Sequence, residues 1–371
     1  MDLKEKFSTW VEIDLEAIKT NVRLVRQKTK TAVMAVVKAN AYGHGAVPVA
    51  KAALQGGAAW LGVARLEEAL HLRQAGLDCP ILLLGYTPPG RYNEAIQNKI
   101  SITVWETGQI SAISQVALKL NESARLHLKV DTGMSRIGVQ PKDTLELALF
   151  LEKAPSVVFE GMFTHFAHAD APDLLTTNEQ EALFLEVIEA LKKSDLKPEI
   201  IHCANSAATL TRSNTEYNLV RLGIAMYGLH PSSKVPLPEG FRPALSWKSI
   251  LTQVKSLPAG RGISYGHEYV TQREERIGTV PLGYADGFRL VKGNLVLVGG
   301  KPVPVVGRVC MDQLMVALDI NPDAQVGDEV VIIGKQGKEE ITAEDIAQRW
   351  GTVNYEVVCG ISSRVIRVYV K

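Results

Sequence analysis

The sequence predicts an α/β chain: a (β/α)8 TIM-like barrel over residues 1–240, then a smaller, mostly β domain over 241–371. Three observations carry this expectation. Apolar runs of strand length recur near 32–38, 59–63, 80–84, 100–104, 125–131, 157–165, 199–203 and 218–222. Helical stretches such as 45–55, 65–75, 107–120 and 178–193 separate most of them, and such alternation over ~250 residues suits a closed parallel barrel. Beyond about 240 the strands become short and punctuated by Gly and Pro, the pattern of antiparallel β structure. An open doubly wound sheet usually carries a Gly-x-Gly-x-x-Gly turn after its first strand, and none follows the first strand here.

Along the chain, 10–14 alternates like a half-buried strand and 15–30 reads as a helix. The run 32–37 is continuously apolar, as a parallel strand buried on both faces requires. Pro231, Pro236, Pro238 and Pro243 crowd the domain junction and suit a semi-rigid linker. The second domain offers strands at 244–257, 276–281, 295–298, 303–306, 315–318, 329–333 and 364–370. It offers one clear helix, 343–349, with Thr342 as N-cap.

The 371 residues are 46% hydrophobic and 22% charged, with formal net charge +1. That balance gives no electrostatic reason to expect nucleic acid or an anionic membrane as partner. No run approaches the ~20 apolar residues of a membrane helix, and the start carries no apolar signal-peptide core. Cys79, Cys203, Cys310 and Cys359 are scattered and form no Cys-x-x-Cys pair. Such thiols point to a reducing cytoplasm rather than to disulfides or zinc.

Lys38 ends the first barrel strand, where parallel α/β folds place their chemistry. An apolar setting disfavours the charged amine and suits it to form a Schiff base, although a single strand-end lysine more often snorkels to solvent. The run Val36-Val37-Lys38-Ala39-Asn40-Ala41-Tyr42-Gly43-His44-Gly45 resembles the cofactor-lysine signature of the alanine racemases. These are enzymes dependent on pyridoxal 5′-phosphate (PLP). The resemblance extends from about Trp10 to Arg367 and implies racemisation of L- and D-alanine, supplying D-alanine for bacterial peptidoglycan.

Other segments near predicted strand ends share the resemblance. They are Asp131 to Gly138 around Arg136, Gly161 to Phe166 around His165, Asn205-Ser206, and Arg221-Leu222-Gly223-Ile224. Taken alone, Arg136 reads as an ordinary ion-pair partner, His165 as a core histidine and Gly223 as a turn. A metal site on His165, His168 and Asp170 lacks a third ligand cluster, so no metal is expected. The resemblance implies that Tyr42, His165, Asn205, Ser206, Tyr355 and the amides of Gly223 and Ile224 surround the cofactor, most of them at its phosphate. It places Arg221 at the pyridine nitrogen. Arginine only donates hydrogen bonds, so it disfavours protonation of that nitrogen and restrains side reactions.

A racemase also needs a proton acceptor on one face of Cα and a donor on the other. The resemblance gives one to Lys38 and the other to Tyr265 of the second domain, with His165, bonded to Arg221, as partner of the phenol. It gives the substrate carboxylate to Arg136 and the Met311 amide, and an entrance gate to Tyr284. Lys129 matches a position often carbamylated in the family, where a carbamate would hold Arg136. It further implies a head-to-tail homodimer with two shared sites. A decarboxylase on the same barrel and a racemase of broader or serine specificity are the rival readings. A non-catalytic PLP carrier would lack the second domain and Tyr265.

Overall fold

The computed structural model describes residues 3–212 and 217–370. The chain divides into two compact units: Ala17–Ala41 with Ala46–Arg242, and Met1–Glu16 with Tyr42–Gly45 and Pro243–Lys371.

In chain order the strands begin with β1 (Thr9–Asp14), then β2 (Ala32–Val36), β3 (Trp60–Val63), β4 (Ile81–Leu83) and β5 (Ser101–Val104). They continue with β6 (Ala124–Lys129), β7 (Val157–Phe163), β8 (Ile200–His202) and β9 (Leu219–Leu222). The first unit is an eight-stranded sheet in the order β8-β7-β6-β5-β4-β3-β2-β9. All its registered pairs are parallel. The edges meet: the Asn218 amide donates to Ile201 O (3.1 Å) and the Arg221 amide to Ala204 O (3.0 Å). The sheet is therefore a closed barrel, as the alternation predicts. Helices such as Ala46–Gln55, Thr107–Leu120 and Leu175–Lys193 join the strands. Each lays an apolar stripe inward, Ile110, Ile113 and Ala117 in the second of these.

The second unit is built on a ten-stranded sheet into which β1 inserts. β1 pairs antiparallel with Leu245–Ile250 (Val11 opposite Trp247) and parallel with Ile366–Val370 (Trp10 opposite Ile366). The expected boundary at 240/241 thus misplaces the N-terminal strand, whose partners lie more than 200 residues away. Its core gathers Trp10, Trp247 and Phe288, with the last two rings 6.2 Å apart. Helix Ala343–Trp350 starts at Thr342, whose hydroxyl accepts from the Asp345 amide while the Asp345 carboxylate accepts from the Thr342 amide. A further helix, Asn354–Cys359, escapes the sequence reading, because six residues rich in valine carry too little period. Among the described residues no helix is long and apolar enough to cross a membrane.

Candidate active site

Lys38 follows β2, after Val37 has made the last strand-like bond to Gly62 O (2.9 Å). The backbone then turns left-handed for four residues: Ala39, Asn40, Ala41 and Tyr42 have φ of 52° or 53°. Each non-glycine there costs roughly 1–2 kcal/mol, so such a turn persists only where its surroundings fix it. The Ala41 amide bonds Val37 O (2.8 Å), Asn40 Oδ1 accepts from the Ala46 amide (2.8 Å), and the Glu68 carboxylate accepts from the Ala39 amide (2.5 Å). Only Asn40 is at ease in this region of φ, which is why the sequence does not announce it. Gly43 continues at φ +81°, and a Cβ there would lie 2.3 Å from Val358 O.

At the carboxyl end of the barrel strands Arg221 is the hub. Its Nη1 donates to His202 Nδ1 (2.9 Å); its Nη2 reaches His165 Nδ1 (3.0 Å), Thr164 O (3.0 Å) and Cys203 O (2.8 Å). The guanidinium lies 5.5 Å from the Phe163 ring centroid, and Phe163 stacks on His202 at 4.7 Å. Burial pushes Arg221 down to about 10, which leaves it a cation at neutral pH. His165 is held well below its ordinary value, first by burial and then by Arg221, Arg136, Lys129 and Lys38. It is neutral, and because Nδ1 accepts from Arg221 its proton sits on Nε2. Lys129 is buried, bonds Val130 O (2.6 Å), and is pushed down to about 7 by desolvation, with Arg221 and Arg136 adding to the fall. Arg136 itself is exposed.

Asn205 caps helix Ser206–Thr211, its Oδ1 accepting from the Ala208 amide (3.0 Å). Ser206 Oγ accepts from the amides of Gly223 (3.0 Å) and Ala225 (3.3 Å), where Ile224 opens a short 3-10 turn. Ser206 and Gly223, expected as separate contacts of one phosphate, are thus joined to each other.

In the β unit, Tyr42 lies with its ring centroid 6.2 Å from that of Tyr355. Burial, with Tyr355 and Cys359 adding to it, holds the Tyr42 phenol far above its ordinary value. Tyr265 stands on a short turn and is 73% exposed; Tyr284 and Met311 are 43% and 53% exposed. Their loops are tied together. The Tyr284 amide donates to Cys310 O (3.1 Å), the Ala285 amide to Met311 O (3.0 Å), and Ser264 Oγ to Arg308 O (2.7 Å). Arg364 clamps Asp286 and Asp312, each at 2.7 Å.

The barrel end therefore collects Lys38, Arg136, Lys129 and Arg221, four basic side chains that all act to lower His165. The Asp131 carboxylate raises Lys129 against them. Such a set fits a phosphorylated carbonyl cofactor and a carboxylate substrate: an amine to bond the carbonyl, cations to balance the anions, and hydroxyls to hold the phosphate. Fold and site together define a barrel enzyme of amino-acid chemistry built around a strand-end lysine.

The alanine racemase N-terminal domain family matches residues 13–231, and the C-terminal domain family matches 244–369. An alanine racemase of Symbiobacterium thermophilum is 45% identical over 372 aligned positions, spanning 100% of this chain and 99% of that protein. The crystal structure of an alanine racemase from Bacillus anthracis with bound L-Ala-P superposes with TM-score 0.93 at 43% identity, covering 98% of this chain and 95% of that one. A histidine racemase from Leuconostoc mesenteroides superposes with TM-score 0.90 at 30% identity, covering 98% of each chain. The chain belongs to the alanine racemase family, whose members depend on PLP.

Proposed function

We propose that this enzyme interconverts L- and D-alanine, using PLP bound at Lys38, with Lys38 and Tyr265 as the two bases. The carrying observation is the strand-end lysine set among cations at the mouth of a closed barrel. When bound, the cofactor withdraws electrons from the substrate Cα so that its proton can leave. The protein's residues do the rest. Tyr42, Asn205, Ser206, Tyr355, Gly223 and Ile224 surround the cofactor, with the hydroxyls and the Ile224 amide turned to its phosphate and the Gly223 amide bracing the Ser206 hydroxyl. Arg221 presents an N–H to the ring nitrogen and keeps it unprotonated. Arg136 and the Met311 amide bind the carboxylate, and Tyr284 lines the entrance.

One base takes the Cα proton while the other delivers a proton to the opposite face, which inverts the centre. An unperturbed phenol titrates near ~10 and needs help to act as a base. The neutral His165, with its proton on Nε2, is suited to donate to the phenol oxygen and stabilise its anionic form. Tyr265, Tyr284 and Met311 are all exposed on the β unit, which favours a homodimer in which these side chains complete the partner's site. The four cysteines form no disulfide among the described residues, which suits a cytoplasmic setting. Alanine is favoured over decarboxylation by the substrate named for the close relatives. The 30% identical histidine racemase leaves breadth of substrate as the second reading.

Proton NMR of L-alanine in D2O tests this. D-alanine is expected to form carrying deuterium at Cα, while the L-alanine left at early times keeps its proton, because each face is served by a different base. Loss of the carboxyl carbon would instead establish a decarboxylase. The same sample given ¹³C-bicarbonate is expected to show a carbamate carbon absent from Lys129→Ala, since an amine near 7 supplies the free base that carbon dioxide needs. No such signal would leave Lys129 a plain amine.

A further inference from the structure

Barrel interiors are ordinarily filled by branched apolar side chains. Here three polar ones are buried in line below Arg221: His202, His127 and Glu160, exposed by 0%, 0% and 6%. His202 Nε2 lies 3.2 Å from His127 Nδ1, and His127 Nε2 lies 3.2 Å from Glu160 Oε2. Glu160 also accepts from Ser101 Oγ and from Arg125 (3.1 Å), whose side chain reaches solvent at the amino-terminal end of β6. The path thus runs through the barrel from its floor to the cofactor end.

Two features of the backbone make room for it. The β6–β7 pairing shifts between Leu126 and His127, so that Leu126 faces Phe159, His127 faces Gly161, and Glu160 is the extra residue of a bulge. Bulges re-aim side chains, and this one sends a carboxylate to His127. At residue 161 a Cβ would fall 2.5 Å from His127 Cε1 and 2.6 Å from its Nδ1, so only glycine admits the ring.

The ends of the path fix every proton in it. Arg221 can only donate, so His202 Nδ1 accepts and its proton sits on Nε2. That N–H points at His127 Nδ1, which must accept in turn, leaving the His127 proton on Nε2 and aimed at the carboxylate. A doubly protonated His127 would set two N–H groups face to face. Burial also holds His202 well below its ordinary value, in keeping with a neutral ring. Hydrogen bonds from His127, Ser101 and Arg125 hold Glu160 ionised against the opposing pull of burial.

We infer that Glu160 is a positioning residue for the reaction, acting through His127 and His202 to hold and polarise Arg221 from the far end of the barrel. Successive hydrogen bonds polarise one another, so the carboxylate charge makes His202 Nδ1 a stronger acceptor for the guanidinium. Arg221 is thereby fixed by an anion that neither touches the cofactor nor competes for it. This rests on the reading that Arg221 faces the cofactor ring.

The test uses the PLP-loaded enzyme with ¹⁵N-labelled histidine. In the parent, His127 and His202 are expected as neutral Nε2–H tautomers; a charged ring or an Nδ1–H tautomer in either overturns the inference. In Glu160→Gln the His202 Nδ1 signal is expected to move towards that of a free imidazole nitrogen. In Ser101→Ala, which takes one donor from the carboxylate, it is expected to move the other way. Glu160→Gln is also expected to lower kcat about tenfold, with KM for alanine changed by less than about twofold. An unmoved His202 signal in a folded variant reduces Glu160 to a structural ion pair and overturns the inference. Should Glu160→Gln not fold, the parent tautomers and Ser101→Ala decide alone. Loading with ¹⁵N-PLP separates the underlying reading: a protonated ring nitrogen in the parent contradicts the role of Arg221 itself, whatever the histidines show.

Discussion

Chains carrying Lys38→Ala and chains carrying Tyr265→Phe, each nearly inactive alone, are expected to regain racemisation when unfolded and refolded together. Removing either base costs at least one direction on the order of 10²–10⁴-fold. The two side chains lie in different units of the chain. If the sites are shared, each mixed dimer holds one site lacking both groups and one with both intact. Random assembly of independent sites then returns roughly a quarter of the parental activity. Recovery scales with the fraction of mixed dimers, which native mass spectrometry measures. Proven mixed dimers without recovery would place both bases within one chain and leave the two-base chemistry to be explained there.

The second large effect is expected from Arg221→Glu. Arg221 is buried, and its Nη2 meets two carbonyl oxygens, Thr164 O and Cys203 O. A carboxyl group in that place is driven to carry its proton, by burial and by those acceptors. It can then share the proton with the ring nitrogen, making the bound cofactor a stronger electron sink. Racemisation is expected to fall on the order of 10²-fold, while pyruvate forms as a side product of transamination. A folded variant with the parental rate and no pyruvate would reduce Arg221 to a structural role.

The barrel was legible because parallel strands are buried on both faces, so each appears as a short apolar run between helical segments. The strand-end positions of Lys38 and Arg221 were legible for a related reason: a charge set at the end of such a run is conspicuous. Pairing across sequence distance was not legible. Nothing in residues 9–14 says that they align with 245–249 and 366–370 rather than with the barrel. The left-handed turn after Lys38 was hidden because Ala39, Ala41 and Tyr42 do not prefer it, and it exists through bonds to Glu68 and Ala46. His127 and Glu160 went unremarked, although polar residues inside otherwise apolar strands are a readable signal. Their common purpose emerges only when the barrel closes and the bulge at Glu160 brings them into line.

Every role proposed at the site depends on Lys38 as the residue that carries the cofactor. Borohydride reduction of the PLP-loaded enzyme, followed by digestion and mass spectrometry of the peptides, tests this most directly. The cofactor mass is expected on the peptide containing Lys38 and on no other, with the visible absorbance lost on reduction. Stable attachment to a different lysine would contradict the assignment of the site and every role built around it.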